Sequence, residues 1–186
     1  MFQILSIFSL IICVTLIALA VQKLFSQKWC RRILLLIFAV YLLGNLYCTT
    51  FSRVVGSGGE IDLRPFKTYL GLGKKPEEVT TEVKGLFNLF MKDAPLVAGI
   101  ILNILLYYPL GYLLPILFPK LKPKHVILIG CLCSIATEAT QYLLKMGWCE
   151  TDDVIHNTLG TAIGVWVWMW QSKRLKTVAD QKSVQG

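Results

Sequence analysis

The sequence predicts an all-α fold: a polytopic membrane helix bundle of about five transmembrane helices, with an amphipathic helix lying on its outer surface. Three observations carry that expectation. Of 186 residues, 55% are hydrophobic and the mean hydropathy is +0.60, well above the balance of a soluble domain. The apolar residues gather into runs of about 20, the length a helix needs to cross a hydrocarbon core about 30 Å thick. Lys and Arg cluster between those runs in alternate connections, the pattern that sets orientation in a bilayer.

The runs are approximately Phe2–Leu24, Ile33–Phe51, Leu96–Phe118, Val126–Leu144 and Val154–Trp170. Within the first, Ala18-Leu19-Ala20 resembles a signal-peptidase site, but no Lys or Arg precedes it. Cleavage there would also place the cluster from Lys23 to Arg32 outside, so a retained first helix is expected. The first connection carries Lys23, Lys28, Arg31 and Arg32, and the third carries Lys120, Lys122 and Lys124. The tail, 173–186, carries Lys173, Arg174, Lys176 and Lys182. These three segments are expected in the cytoplasm, with the N-terminus outside and the C-terminus inside a cell membrane. The connection before the last run sets Lys145 against Glu150, Asp152 and Asp153, and the long segment 52–95 is nearly balanced in charge, which suits the outside. The net charge of +8 is therefore a topology signal; it lacks the folded basic face that nucleic acid needs.

The outer segment has three parts. Gly56-Ser57-Gly58-Gly59 is a flexible joint, and Asp62 to Lys67 combines charges with a proline-restricted backbone. After Pro76, Val79, Val83, Phe87 and Phe90 recur at helical spacing with Glu77, Thr80, Lys84 and Asn88 between them. That pattern predicts an amphipathic helix at the membrane surface or packed on the outer loops. The third run contains Asn103, Pro109, Gly111 and Pro115, so a kink or local break is expected in it. Trp166, Trp168 and Trp170 close the last run as an interfacial aromatic belt. Of the six cysteines, Cys13, Cys131 and Cys133 fall in runs as small hydrophobes. Cys48 and Cys149 share the outer side, where two free thiols are favoured over a disulfide.

Glu138 is the sharpest chemical signal, because insertion scales charge roughly 2.5–3.5 kcal/mol for a charged residue at the centre of a spanning helix. With Ser134, Gln141 and Lys145 it forms a polar stripe at three- and four-residue spacing. Such a carboxylate faces protein or water, as part of a site or as a tie between helices. In the last run, Thr151 or Asp152 can cap the helix, and acidic groups in its first turn complement the helix dipole. Capping does not account for Asn157, which follows Asp153 by one turn and shares a face with Gly160 and Gly164; that face is expected against another helix. Counting about 1.5 Å per residue brings Asn103, Glu138 and Asn157 to similar depths, so they can meet in an outward-open pocket. Asp152, Asp153, Arg64 and Lys67 are then candidates for its rim, where the two bases pair an anionic group. His156 and the adjacent acids make no complete shell, so no metal and no cofactor is expected.

Four blocks in order resemble the VanZ-like family, associated with resistance to the glycopeptide teicoplanin. They are Leu63 to Thr68, Leu102 to Gly111, Glu138-x-x-Gln141, and Asp152-Asp153-x-x-x-Asn157-x-x-Gly160. In the second block Asn103, Leu106, Pro109 and Gly111 match the family's pattern, and Tyr107 stands where the family has Phe. Between Gln141 and the paired acids, where members often carry an Arg, this chain has none. The resemblance implies a bacterial VanZ-like transmembrane domain over 1–172, including the outer loop 52–95, followed by the basic cytoplasmic tail. It implies a role in lipoglycopeptide resistance and no established reaction. The reading that follows is a protein that binds a lipid-linked cell-wall group or the drug through Asn103, Glu138, Gln141, Asp152, Asp153, Asn157, Arg64 and Lys67, with membrane lipids as partners. An intramembrane enzyme using Glu138 or an Asp as general base is the alternative, but no serine elbow, HExxH or CxxC is present. A small transporter is a third reading, and no repeated halves support it.

Overall fold

The computed structural model of the chain describes residues 2–51, 54–56, 60–65, 94–146 and 148–185. The surface helix expected after Pro76, and Lys67, lie outside the described residues.

Helix α1 (Phe2–Leu24) has the bounds of the first apolar run, and the chain turns at Phe25-Ser26 into α2 (Gln27–Leu46). The second helix starts at Gln27 rather than Ile33, because Lys28, Arg31 and Arg32 are good helix formers and Arg32 lies over the Trp29 ring at 5.2 Å. It ends in a π-helical turn, Tyr47–Phe51, that buries Thr49 and Thr50. A short strand β1 (Glu60–Asp62) follows, then α3 (Ala94–Leu117), α4 (Pro123–Leu143), a second short strand β2 (Trp148–Glu150) and the long α5 (Thr151–Gln185). Pro123 opens α4 at its first turn, where a missing N–H costs nothing. The last helix outruns its apolar run at both ends and continues through the basic tail.

Helix α3 is the centre of the bundle and packs most extensively on α5. Ala18 and Val21 of α1, Leu34 of α2, and Tyr108, Tyr112, Leu113 and Leu117 of α3 form one core cluster. Leu114, Val126 and Val165 join α3, α4 and α5 in a second. The α3–α5 contact is backbone on backbone. A Cβ on Gly160 would overlap the Ile104 carbonyl, one on Gly164 the Tyr108 carbonyl, and one on Gly111 the Thr161 carbonyl. The glycine face expected against another helix thus finds α3, an approach that only small residues permit.

Of the kink or local break expected in α3, the break is absent: the helix is continuous through Pro109 and Pro115. A proline leaves the carbonyl four residues earlier without its helical donor, and neighbouring helices can compensate. Tyr41 of α2 donates its hydroxyl to the Leu106 carbonyl at 2.8 Å, which ties α2 to α3 next to Pro109. The two strands lie outside a purely helical expectation. They pair in parallel, Glu60 with Trp148, Ile61 with Cys149 and Asp62 with Glu150, and so tie the segment after α2 to the α4–α5 connection.

Among the described residues, Gln27–Thr50, Val97–Leu117 and Pro123–Leu143 are long and apolar enough to cross a membrane, and Cys13–Leu24 is a shorter apolar stretch. Large apolar side chains point away from the bundle, among them Leu36, Val40 and Leu43 on α2 and Leu128 and Leu132 on α4. That is the surface expected of a multi-pass membrane protein, whose outer face is solvated by lipid. The fold is all-α apart from the strand pair, with five α-helices among the described residues.

Candidate functional site

The buried face of α4 is Val126, Gly130, Ser134, Glu138 and Gln141, a stripe at three- and four-residue spacing that is apolar at one end and polar at the other. Each polar member is held by a different element. Ser134 accepts from the Asn157 side-chain amide of α5 at 2.8 Å, and the Glu138 carboxylate accepts from the Glu150 backbone N–H at 3.1 Å. Gln141 donates to the Thr49 carbonyl in the π-helical turn at 2.8 Å. Gly130 lies against Thr161, with no room for a Cβ. Lys145 does not extend the stripe: α4 stops at Leu143, and Lys145 is exposed in a left-handed turn with φ 52.

Strand β2 runs directly into α5, so the Glu150 bond to Glu138 also fixes where the last helix begins. Asp152 and Asp153 fall in its first turn, where acidic groups suit the helix dipole. Asp152 is buried, and Asp153 accepts from the Asn103 side-chain amide of α3 at 2.6 Å. Cys149 of β2 is half-buried, and its thiol pKa is raised by burial and then by the nearby charges of Glu138 and Asp153. The buried Tyr107 hydroxyl meets Thr137 at 3.2 Å and faces Ser134 and Glu138.

Of the site residues named from sequence, Asn103, Glu138, Gln141, Asp152, Asp153 and Asn157 are gathered at one end of the bundle, but not in the arrangement expected. Asn103, Glu138 and Asn157 do not bond to one another; each is tied to its own partner, Asp153, Glu150 and Ser134. Glu138, Gln141, Asp152 and Asn157 are each less than 5% exposed, and two of their oxygens, Gln141 Oε1 and Asn157 Oδ1, accept no hydrogen bond from the described residues. Arg64 stands apart, 60% exposed, gripping Asp62 with Nε at 3.0 Å and Nη2 at 2.7 Å. Asp62 is in register with Glu150, so this ion pair lies in the same strand layer that holds Glu138. Thr49, Tyr107, Thr137 and Cys149 belong to the polar layer and were not apparent as members from sequence. Their signal was slight: single hydroxyls within apolar runs, and a cysteine otherwise read only for disulfide pairing. Among the described residues no group of three or more His, Cys, Asp or Glu is arranged to hold a metal ion.

The VanZ/LLP1 family profile matches residues 7–172, which spans α1 through the apolar part of α5 and includes every residue of this polar layer. No curated protein and no solved structure matches the chain.

Proposed function

Because the chain belongs to the VanZ/LLP1 family, which is linked to teicoplanin resistance, we propose that it lowers susceptibility to lipoglycopeptides by binding a lipid-linked cell-wall group or the drug at the outer membrane face. In this reading all five helices span, residues 1–172 are the transmembrane domain, and 173–186 are a cytoplasmic tail. The N-terminus and the polar end of the bundle are outside, as the alternating Lys and Arg favour.

The buried polar layer is the observation that supports it. A bundle needing only stability would fill this space with apolar groups, since buried carboxylates and unpaired amide oxygens are costly in a membrane protein. Glu138 and Asp153 offer carboxylates, while Gln141 Oε1 and Asn157 Oδ1 offer acceptors without a donor among the described residues. Such groups suit a ligand rich in amide or ammonium N–H. Both carboxylates accept a hydrogen bond, from a backbone N–H and from an amide, so each is held in a fixed position as an acceptor. That suits recognition better than the proton shuttling an enzyme would require.

The test is susceptibility to a lipidated glycopeptide and to a non-lipidated relative, in cells with and without the protein. Protection confined to the lipidated drug is expected. Equal protection against both removes the acyl chain from the explanation.

A further inference from the structure

At the end of the bundle opposite the polar layer, the start of α2 and the end of α3 enclose a cleft of about 510 Å³. Its wall is apolar, with Leu34 from α2, Ile116 and Leu117 from α3 and Phe118 just after it. Arg31 and Lys120, both exposed, also line it, and no acidic residue does. Gln27, the first residue of α2, lines it too, and Ser26 before it makes no side-chain capping bond. First-turn N–H groups lack helical acceptors, and the positive end of the helix dipole favours an anion there. The cleft lies at the ends of two helices long and apolar enough to cross a membrane. Trp29 lies beneath Arg32 at the start of α2, and Trp170 beneath Arg174 on α5 at 4.1 Å, a ring of aromatic and basic residues of the kind found at membrane interfaces.

We propose that this cleft is a binding site for an anionic phospholipid, with the phosphate held by Arg31, Lys120 and the first turn of α2, and an acyl chain laid along Leu34, Ile116 and Phe118. The amphiphilic character of the lining selects a lipid over a free phosphate: two cations at one end, and the apolar walls of two long hydrophobic helices at the other. Basic pockets between spanning helices take up acidic headgroups for this reason. The site lies outside the polar layer, and its occupancy does not depend on what that layer binds.

The experiment uses the full chain in nanodiscs of mixed phosphatidylglycerol and phosphatidylcholine, with lipids retained on the released protein read by native mass spectrometry. The wild type should retain phosphatidylglycerol in preference to phosphatidylcholine. Arg31→Gln with Lys120→Gln should lower that preference about tenfold or more, from about a kilocalorie per mole for each basic group near a membrane surface. Lys122→Gln with Lys124→Gln removes the same charge from the adjoining connection and should leave the preference within about twofold. Arg31→Lys with Lys120→Arg keeps the charge and should keep the preference. Should the first pair fail to insert, Lys120→Gln alone, at an exposed position beyond α3, is compared with Lys122→Gln. No preference in the wild type overturns the proposal, and so does an equal fall in the two neutralised pairs. Soluble glycerol phosphate should not displace the bound lipid; displacement as effective as that by short-chain phosphatidylglycerol removes the apolar wall from the site and overturns it too.

Discussion

Asn103 of α3 donates its side-chain amide to the Asp153 carboxylate in the first turn of α5 at 2.6 Å, joining at the polar end two helices whose backbones already touch at Gly160. Hydrogen bonds between membrane helices are worth about 0.6 kcal/mol on average and about 1.7 at most. A double-mutant cycle of Asn103→Ala and Asp153→Ala, read by thermal unfolding in detergent, should give a coupling within that range. Strictly additive single effects would show that the bond does not hold the helices together.

The glycines of the α3–α5 contact should be far less replaceable than glycines elsewhere. Gly160→Ala forces a methyl into the Ile104 carbonyl and Gly164→Ala one into the Tyr108 carbonyl, and overpacking costs roughly 1–3 kcal/mol. Gly44 on α2 has nothing within 4 Å of an added Cβ, so Gly44→Ala should be neutral or slightly stabilising. Folded yield and melting temperature should rank the variants in that order. A Gly160→Ala protein as stable as Gly44→Ala would contradict the close packing.

Most of the helices were legible because lipid solvation demands long apolar runs, and the first run has the bounds of α1. The glycine face of α5 was legible for a related reason: Gly160 and Gly164 one turn apart have a direct steric meaning. The strand pair was not. Glu60-Ile61-Asp62 and Trp148-Cys149-Glu150 are too short for periodicity, and more than 80 residues of chain separate them. In the polar layer, residue types could be read but partners could not. Gln141 bonds to a backbone carbonyl set by a π-helical turn, and Glu138 to a backbone N–H set by that same strand pair. Lys145 was misplaced by extending helical spacing past the end of α4.

Cys149 reports on the electrostatics of this layer. Burial and the charges of Glu138 and Asp153 disfavour its thiolate, the reactive species, so alkylation should be slow near pH 7 and accelerate only well into the alkaline range. Removing a neighbouring negative charge lowers the thiol pKa and raises the thiolate fraction at any given pH. Glu138→Gln should therefore move the rate profile of Cys149 to lower pH, as followed by peptide mass spectrometry. An unchanged profile would mean that the carboxylate is neutral or distant.

Orientation is open to cysteine labelling in intact cells. With the N-terminus outside, a cysteine at position 150 should react with an impermeant maleimide, while one at position 176 should react only after the membrane is opened. Labelling of position 176 from outside would invert the bundle and place the polar layer in the cytoplasm. The lipid cleft beside Arg31 would then face outward.

Glu138 separates recognition from structure most cleanly, because its partner is a backbone N–H that a neutral oxygen can also satisfy. Glu138→Gln keeps the size of the side chain and an acceptor for Glu150, and removes only the charge. If the carboxylate receives part of a ligand, its loss should cost about 1.5–3 kcal/mol of binding, roughly ten- to a hundredfold in affinity, while the protein remains inserted and equally abundant. Asp153→Asn should behave alike, since Asn103 can still donate to the remaining amide oxygen. Asn157→Ala differs: it removes the donor to Ser134 from a buried pair, so both stability and activity should fall. Protection against a lipidated glycopeptide and protein abundance, measured on the same cells, separate these outcomes. Full protection by Glu138→Gln would end the charged-site reading. Loss of abundance and thermal stability together would show that Glu138 serves the bundle alone, its charge needed to hold the start of α5 through Glu150.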